Sequence, residues 1–417
     1  MKLSKFGEKF AAPSATVNLM DDLNSALNEN PDMIFMGGGN PSRLPEVETA
    51  FQQRLAAILA DADECHRVLG IYQSPQGDKQ FRKEMAGFLN KQFGWQLSER
   101  NIAVSNGSQS AFFLLFNLFG GIMPDGSQRS IHLPLSPEYL GYADIGLCEN
   151  FFTATRPTID RLDNHLFKYR VDFSQLDIAS NTAALCVSRP TNPTGNVLTD
   201  NEIEHLDAIA KQHDIPLIID GAYGLPFPNI LFCQAKPYWN DNIILALSLS
   251  KMGLPGVRTG IVVANEAVIQ AYSNANTLAS LACGNLGPAL VKALFKNSDI
   301  LGLTRHITPF YQQRSQQTLQ WLRESLGDLP CQIHKPEGAI FLWLWFEGLP
   351  VSSQTLYERL KKRGVLVVPG QSFFVGIDNA WQHKHECIRL SYAQDAATVK
   401  RGVKILAEEV YLAYNTQ

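Results

Sequence analysis

Between about residues 101 and 260, short apolar, β-branched runs alternate with segments of helical period, and this alternation constrains the fold most. The runs at 101–105, 130–135, 182–188, 216–220, 242–248 and 257–264 read as strands. The segments 108–119 and 200–212 read as helices, the second with Asp200 as its N-cap. Strands that are apolar on both faces and separated by helices predict a mainly parallel sheet covered on each side. Ligand sites in such sheets lie beyond the carboxyl ends of the strands, where the short Gly- and Pro-rich loops of this chain also fall.

Beyond about residue 303 the texture changes to an α+β unit. It has a polar helix at 312–326, a strand at 339–346, a helix at 353–363, short strands at 365–368 and 387–392, and a last helix at 396–413. The expected organisation is an N-terminal segment (1–48) packing on the small domain, a large α/β domain (49–302) and a small C-terminal domain (303–417). A chain of 417 residues is long enough for two domains.

Charge and cysteine use narrow the class. The net charge is −4, without the basic stripe of a nucleic-acid binder. The longest nearly apolar stretch, 111–123, is too short for a bilayer, which takes about 20 residues. Charged residues stand at the start, where a signal peptide needs an apolar run. The seven scattered cysteines form no C-x-x-C pair, which predicts a reducing, cytoplasmic setting and no disulfide or zinc scaffold.

Four segments carry candidate chemistry near the strand ends. Ser248-Leu-Ser250-Lys251 follows an apolar strand, and Arg258 comes shortly after. Hydroxyls and a guanidinium beside a lysine suit an anchored phosphate with an aldehyde held at the amine, although a surface loop would read similarly. Asp220 ends a strand three residues before Tyr223; a carboxylate there could keep a pyridine nitrogen protonated, or merely cap a turn. Asn192 lies in the rigid turn Asn-Pro-Thr-Gly after the strand 182–188. Gly107, Ser108 and Gln109 open a helix, where backbone amides favour an anion, or serve as a plain cap. The segment lacks the GK[ST] pattern of nucleotide loops, so ATP and GTP are not expected.

Arg389 in the strand 387–392 could hold a carboxylate through its planar fork, or stand as an ordinary edge arginine. Tyr139 in Pro137-Glu-Tyr-Leu-Gly-Tyr142 offers a ring for stacking. His383 and His385 imitate a metal cluster, but with polar neighbours and no partner cluster they are expected on a solvated face, with no metal.

In chain order, N-G-S-Q, P-x-Y, N-P-T-G, D-x-A-Y, S-x-S-K and R-L-S-Y resemble the class I/II aminotransferases, the pyridoxal-phosphate enzymes of fold type I. Gly39-Asn-Pro and Tyr72-x-x-x-x-Gly77 match the family's early motifs, so the resemblance spans essentially the whole chain. The stretches 107–118, 188–197 and 335–346 narrow it to members acting on the apolar pair valine and pyruvate.

The resemblance implies pyridoxal 5′-phosphate as cofactor. Lys251 would bond its aldehyde and then carry the proton between the substrate's Cα and the cofactor's C4′. Asp220 would pair with the ring nitrogen, Tyr223 and Asn192 with the ring hydroxyl, and Tyr139 would stack. Gly107, Ser108, Gln109, Ser248, Ser250 and Arg258 would surround the phosphate. Arg389, helped by Asn192 and the backbone of Gly39, would hold the substrate carboxylate. Tyr72 would reach the phosphate of a neighbouring subunit, which implies a homodimer. Arg258 follows Lys251 one residue sooner than in many members, so the local loop should differ. A β-lyase of the same fold would carry the same residues. A non-catalytic, cofactor-binding regulator would need a DNA-binding domain ahead of Gly39, where little chain is available.

Overall fold

In the computed structural model, which describes residues 2–12, 14–377 and 380–415, the apolar runs assemble into one central sheet. Its order is Ile102–Ser105, Gly260–Val263, Ile243–Ser248, Leu217–Asp220, Thr182–Ser188 and Gln128–Leu133. Gly121–Ile122 pairs at the far edge, and Phe152–Ala154 also joins Gln128–Leu133. Gly260–Val263 is antiparallel to both neighbours, whereas the adjoining strands run parallel. Every residue of Thr182–Ser188, Leu217–Asp220 and Ile243–Ser248 is buried, as expected of a sheet covered on both faces. The register sets Ser188 beside Asp220 and Asp220 beside Ala246, and it aligns Ser248 with Gly260 and Gly260 with Ser105. The carboxyl ends therefore line one edge of the sheet.

Several boundaries move. The helix Asp200–Gln212 is capped by Thr199 rather than Asp200, in a reciprocal pair with Glu202. Asp200 already lies in the helix and binds Arg189 at 2.6 Å. The strand expected at 257–264 starts only at Gly260, because Pro255–Val257 forms a 3-10 turn. The helix expected at 312–326 begins at Ile300 and runs 27 residues through Pro309, which disguises its first half as a break.

A second sheet runs Val368–Pro369, Cys387–Ser391, Phe341–Phe346, Cys331–His334, Leu166–Arg170 and Thr158–Leu162. Its last two strands form a hairpin contributed from well before residue 303 and paired in parallel to Cys331–His334. The N-terminal segment meets the same half of the chain. Ile34–Phe35 pairs with Val365–Leu366, and Asp22 binds Tyr357 and Lys361. No helix among the described residues is long and apolar enough to cross a membrane.

The histidine loop departs from expectation. His383 is buried, not solvated: it stacks on Trp381 with centroids 4.7 Å apart and meets the Tyr169 hydroxyl at 2.5 Å. That burial drives its pKa well below the usual imidazole range. Among the described residues no group of three metal-capable side chains converges anywhere.

Candidate active site

Lys251 sits in the short turn Ser250–Met252, directly after the strand Ile243–Ser248, and Gly253 reverses the chain at φ 97°. Its ammonium donates to the carbonyl of Gly39 and lies 5.2 Å from the centre of the Tyr223 ring. Burial, with Arg389 and Arg258 nearby, lowers its pKa to about 8, while Asp220 pulls the other way. Such a lysine supplies far more of the neutral amine near pH 7 than an ordinary one would, as a nucleophile or base requires.

Asp220 is buried at the end of its strand. One oxygen accepts from the Tyr142 hydroxyl at 2.7 Å and the other from the Ala222 amide at 2.9 Å. Burial nevertheless raises its pKa, so the pocket favours a positive partner for this carboxylate. Tyr223 is also buried, its hydroxyl held neutral by desolvation.

On the next flank, Gly107 adopts φ 91° to open the helix Ser108–Phe119. A Cβ on Gly107 would lie 2.2 Å from Arg258 Nη2, and one on Gly260 would lie 2.7 Å from the Ser108 amide. Glycine at both positions thus lets a guanidinium and a helix N-terminus converge, which is an anion cradle. Arg258 reaches it from a left-handed backbone position at φ 47°, the local answer to its short spacing from Lys251. Ser248 is buried and accepts from the Ser250 amide at 3.1 Å. Gln109 donates to the Gly141 carbonyl at 2.8 Å beneath the half-buried Tyr139.

The other wall belongs to the second sheet. Arg389 is buried and donates to Asn192 Oδ1 at 2.6 Å and to the Gly37 carbonyl at 2.7 Å. Its guanidinium lies 4.1 Å from the Phe341 ring centre and 5.0 Å from that of Phe373. Burial lowers its pKa to about 10, so it stays charged at neutral pH and is short of a counter-anion. Arg389 thus meets the carbonyl of Gly37, while that of Gly39 receives Lys251. Tyr72 is not among these groups: it stands apart, 83% exposed.

Sequence reading missed Tyr142, Ser188 and Glu138, which back Asp220, and Gly37, Phe341 and Phe373, which seat Arg389. The spacing Tyr139-x-x-Tyr142 was a usable signal for the first. Nothing local marks Phe373 or Gly37, whose roles come from packing alone.

The sequence pattern of the family "Aminotransferase class I and II" matches residues 32–406. The chain belongs to the class I and II aminotransferases. It is 50% identical to the valine–pyruvate aminotransferase of Escherichia coli K12 over 415 residues, 99% of each chain. A crystal structure of valine-pyruvate aminotransferase AvtA from Salmonella typhimurium LT2 superposes with a TM-score of 0.89 at 48% identity, covering 97% of this chain and all of that one. The aspartate aminotransferase of Thermus thermophilus, at 21% identity, shares the fold with a TM-score of 0.77 over 98% of this chain and all of that one. The architecture is that of fold type I, and this aminotransferase works with pyridoxal 5′-phosphate.

The pocket fits that group. A buried carboxylate, a buried-side amine and a guanidinium–amide cradle face one another, and Arg389 Nε and Gln109 Oε1 are buried without a hydrogen-bond partner. These are the donors and acceptors that a charged ring, an aldehyde, a phosphate and a carboxylate would satisfy.

Proposed function

We propose that this aminotransferase exchanges the amino group between valine and pyruvate, giving 3-methyl-2-oxobutanoate and alanine, in two half-reactions at one site. The observation that carries the substrate pair is the 50% identity, over nearly the full length, to an enzyme of that name. The cavity of about 300 Å³ beside Lys251 has polar walls at Asn40, Ser42, Arg43 and Glu48, and an apolar side chain suits its other part, lined by Leu44, Val47, Phe51, Met252 and Ile307. Pyruvate and 3-methyl-2-oxobutanoate both need only one cation, and Arg389 provides it.

Pyridoxal 5′-phosphate, when bound, supplies an electron sink for the charge left on the substrate's Cα. The chain's residues do the rest. Arg389 holds the substrate carboxylate through its guanidinium, whose Nε is otherwise without a partner, and Asn192, which accepts from Nη1, steadies it. Lys251, in its neutral form, would take the proton from the substrate's Cα and return it at the cofactor's C4′. Asp220 keeps the ring nitrogen protonated, since a buried carboxylate strongly stabilises an adjacent cation. Tyr223 and Asn192 would hold the ring hydroxyl, and Tyr139 would stack on the ring. Gly107, Ser108, Gln109, Ser248, Ser250 and Arg258 bind the phosphate.

The homodimer belongs to the same proposal. The segments around Tyr72 and Leu278 are tied together, with Asn285 donating to the Arg67 carbonyl and Gly284 to Asn106 beside the anion cradle. Leu69, Tyr72, Leu278 and Leu281 are all exposed there, Leu278 by 91%. An apolar patch at the mouth of a phosphate site suits a second copy whose Tyr72 reaches across. The seven cysteines are all unpaired, in keeping with the reducing cytoplasm as its home.

The test is the visible spectrum of the purified holoenzyme before and after L-valine, with no oxo acid present. Conversion of the lysine-bound cofactor band to the pyridoxamine form is the expected result. A band that L-valine leaves untouched overturns the substrate assignment and leaves the family standing.

A further inference from the structure

Behind Asp220 lies a second carboxyl group that the reaction as described does not use. Glu138 is fully buried between cis Pro137 and Tyr139. Its Oε1 accepts from the Ser188 amide at 2.8 Å, and its Oε2 lies 2.6 Å from Ser188 Oγ and 3.3 Å from the Tyr139 amide. Ser188 Oγ is 3.5 Å from the Tyr142 hydroxyl, and that hydroxyl donates to Asp220 at 2.7 Å. Two carboxyls thus share one sealed pocket, joined by two hydroxyls. No lysine, arginine or histidine forms an ion pair with Glu138 among the described residues. Asp220 differs, because Lys251 faces it and the ring nitrogen is its partner in the loaded enzyme.

We propose that Glu138 is a positioning residue that keeps one proton, so that the single negative charge of this pocket stays on Asp220. Two adjacent buried carboxylates cannot both ionise cheaply, and the one with a cation at hand keeps the charge. The connecting hydroxyls allow this arrangement. A neutral Glu138 donates to Ser188 Oγ, the serine hydroxyl turns toward Tyr142, and Tyr142 donates to Asp220. Each donor in that line then points at the charged carboxylate and polarises the next. Burial acts in the same direction, lifting the pKa of Glu138 to about 8, with Asp220 adding to the rise. The other titratable groups facing it are Tyr142 and Cys186, both held neutral by burial, and Tyr139, which itself faces Arg258 and Arg389.

The inference rests on the family's cofactor and not on the valine–pyruvate pair, so its test uses no substrate. In the holoenzyme, the visible band of the lysine-bound cofactor is titrated from about pH 6 to about pH 10, a window that brackets an elevated carboxyl. The wild type should show an alkaline step beyond the band's main transition, as Glu138 loses its proton and a second charge enters the pocket. Glu138→Gln, a neutral isostere, should lose that step while keeping the band's position at neutral pH. Glu138→Ala leaves the Ser188 amide without an acceptor and its hydroxyl without a donor, so the affinity for pyridoxal 5′-phosphate should fall about tenfold, and Gln should restore it. Thermal unfolding of each apo-protein identifies a variant that has simply failed to fold, and the Glu138→Gln titration then decides. If Glu138→Gln moves the main transition at neutral pH, Glu138 carries charge and the proposal falls. If wild type and Glu138→Gln titrate alike throughout, Glu138 stays neutral up to about pH 10, which supports the proposal and removes only the alkaline step.

Discussion

The cofactor face of the cleft is made from groups at the ends of neighbouring strands, Ser105, Ser188, Asp220 and Ser248, whereas the carboxylate face is gathered around Arg389 from separated stretches. On the first face each group is placed by its own strand and the register of the sheet. On the second, Arg389 depends on Asn192 in one loop, Gly37 near the N-terminus, and the rings of Phe341 and Phe373. The first face should therefore fail through chemistry when one residue changes, and the second through geometry and binding.

The largest effect expected is on the cofactor face. Lys251→Ala removes nucleophile and base together and should lower transamination by at least about 10⁴-fold, with the lysine-bound band gone. Retained turnover would mean that another group moves the proton. On the opposite face, Arg389→Lys keeps the charge but loses the fork, so kcat/KM should fall about 100-fold through KM, with the band intact. A fall confined to kcat would erase the contrast between the two faces.

Smaller still is a pH effect on cofactor capture by the apo-protein. The Lys251 amine is lowered to about 8, and only its neutral form attacks an aldehyde. The neutral fraction rises from about one-tenth at pH 7 to about nine-tenths at pH 9, so the capture rate should climb about tenfold and then level. A rate still climbing steeply beyond pH 9 would place the amine at its ordinary value. The smallest effect is expected at the exposed patch. Tyr72→Phe should weaken cofactor affinity about fivefold through one lost hydrogen bond to phosphate, while a monomeric wild type with full affinity would remove Tyr72 from the site.

Much of the cofactor face was legible in the chain. Asp220 directly follows an apolar run, and Lys251 and Ser108 come within four residues of one; a strand followed by polar groups is a local pattern. The helix Ser108–Phe119 and the strand Thr182–Ser188 have the bounds that the sequence suggests, and the helix Asp200–Gln212 differs at its cap, Thr199 in place of Asp200. Arg389 was visible as a candidate, but its seat was not. The hairpin Thr158–Arg170 joins a sheet whose other strands lie more than 150 residues away (331 − 170 = 161), and no local period announces that. The buried His383 misled for a related reason. Its polar neighbours in sequence suggested water, yet Trp381, Trp345 and Tyr169 enclose it in space.

By itself the sequence determined the parallel α/β core, the order of the motifs and the candidates for the groups that would meet the cofactor. These are local properties, written in hydrophobic period and in residues adjacent along the chain. Only the tertiary structure decided that Gly37 seats Arg389, that Arg258 turns back through a left-handed backbone position to meet Gly107, and that Glu138 stands behind Asp220. Those contacts join residues whose sequence neighbours say nothing about one another. Their energetics depend on a burial that exists only once the two sheets have closed on the cleft.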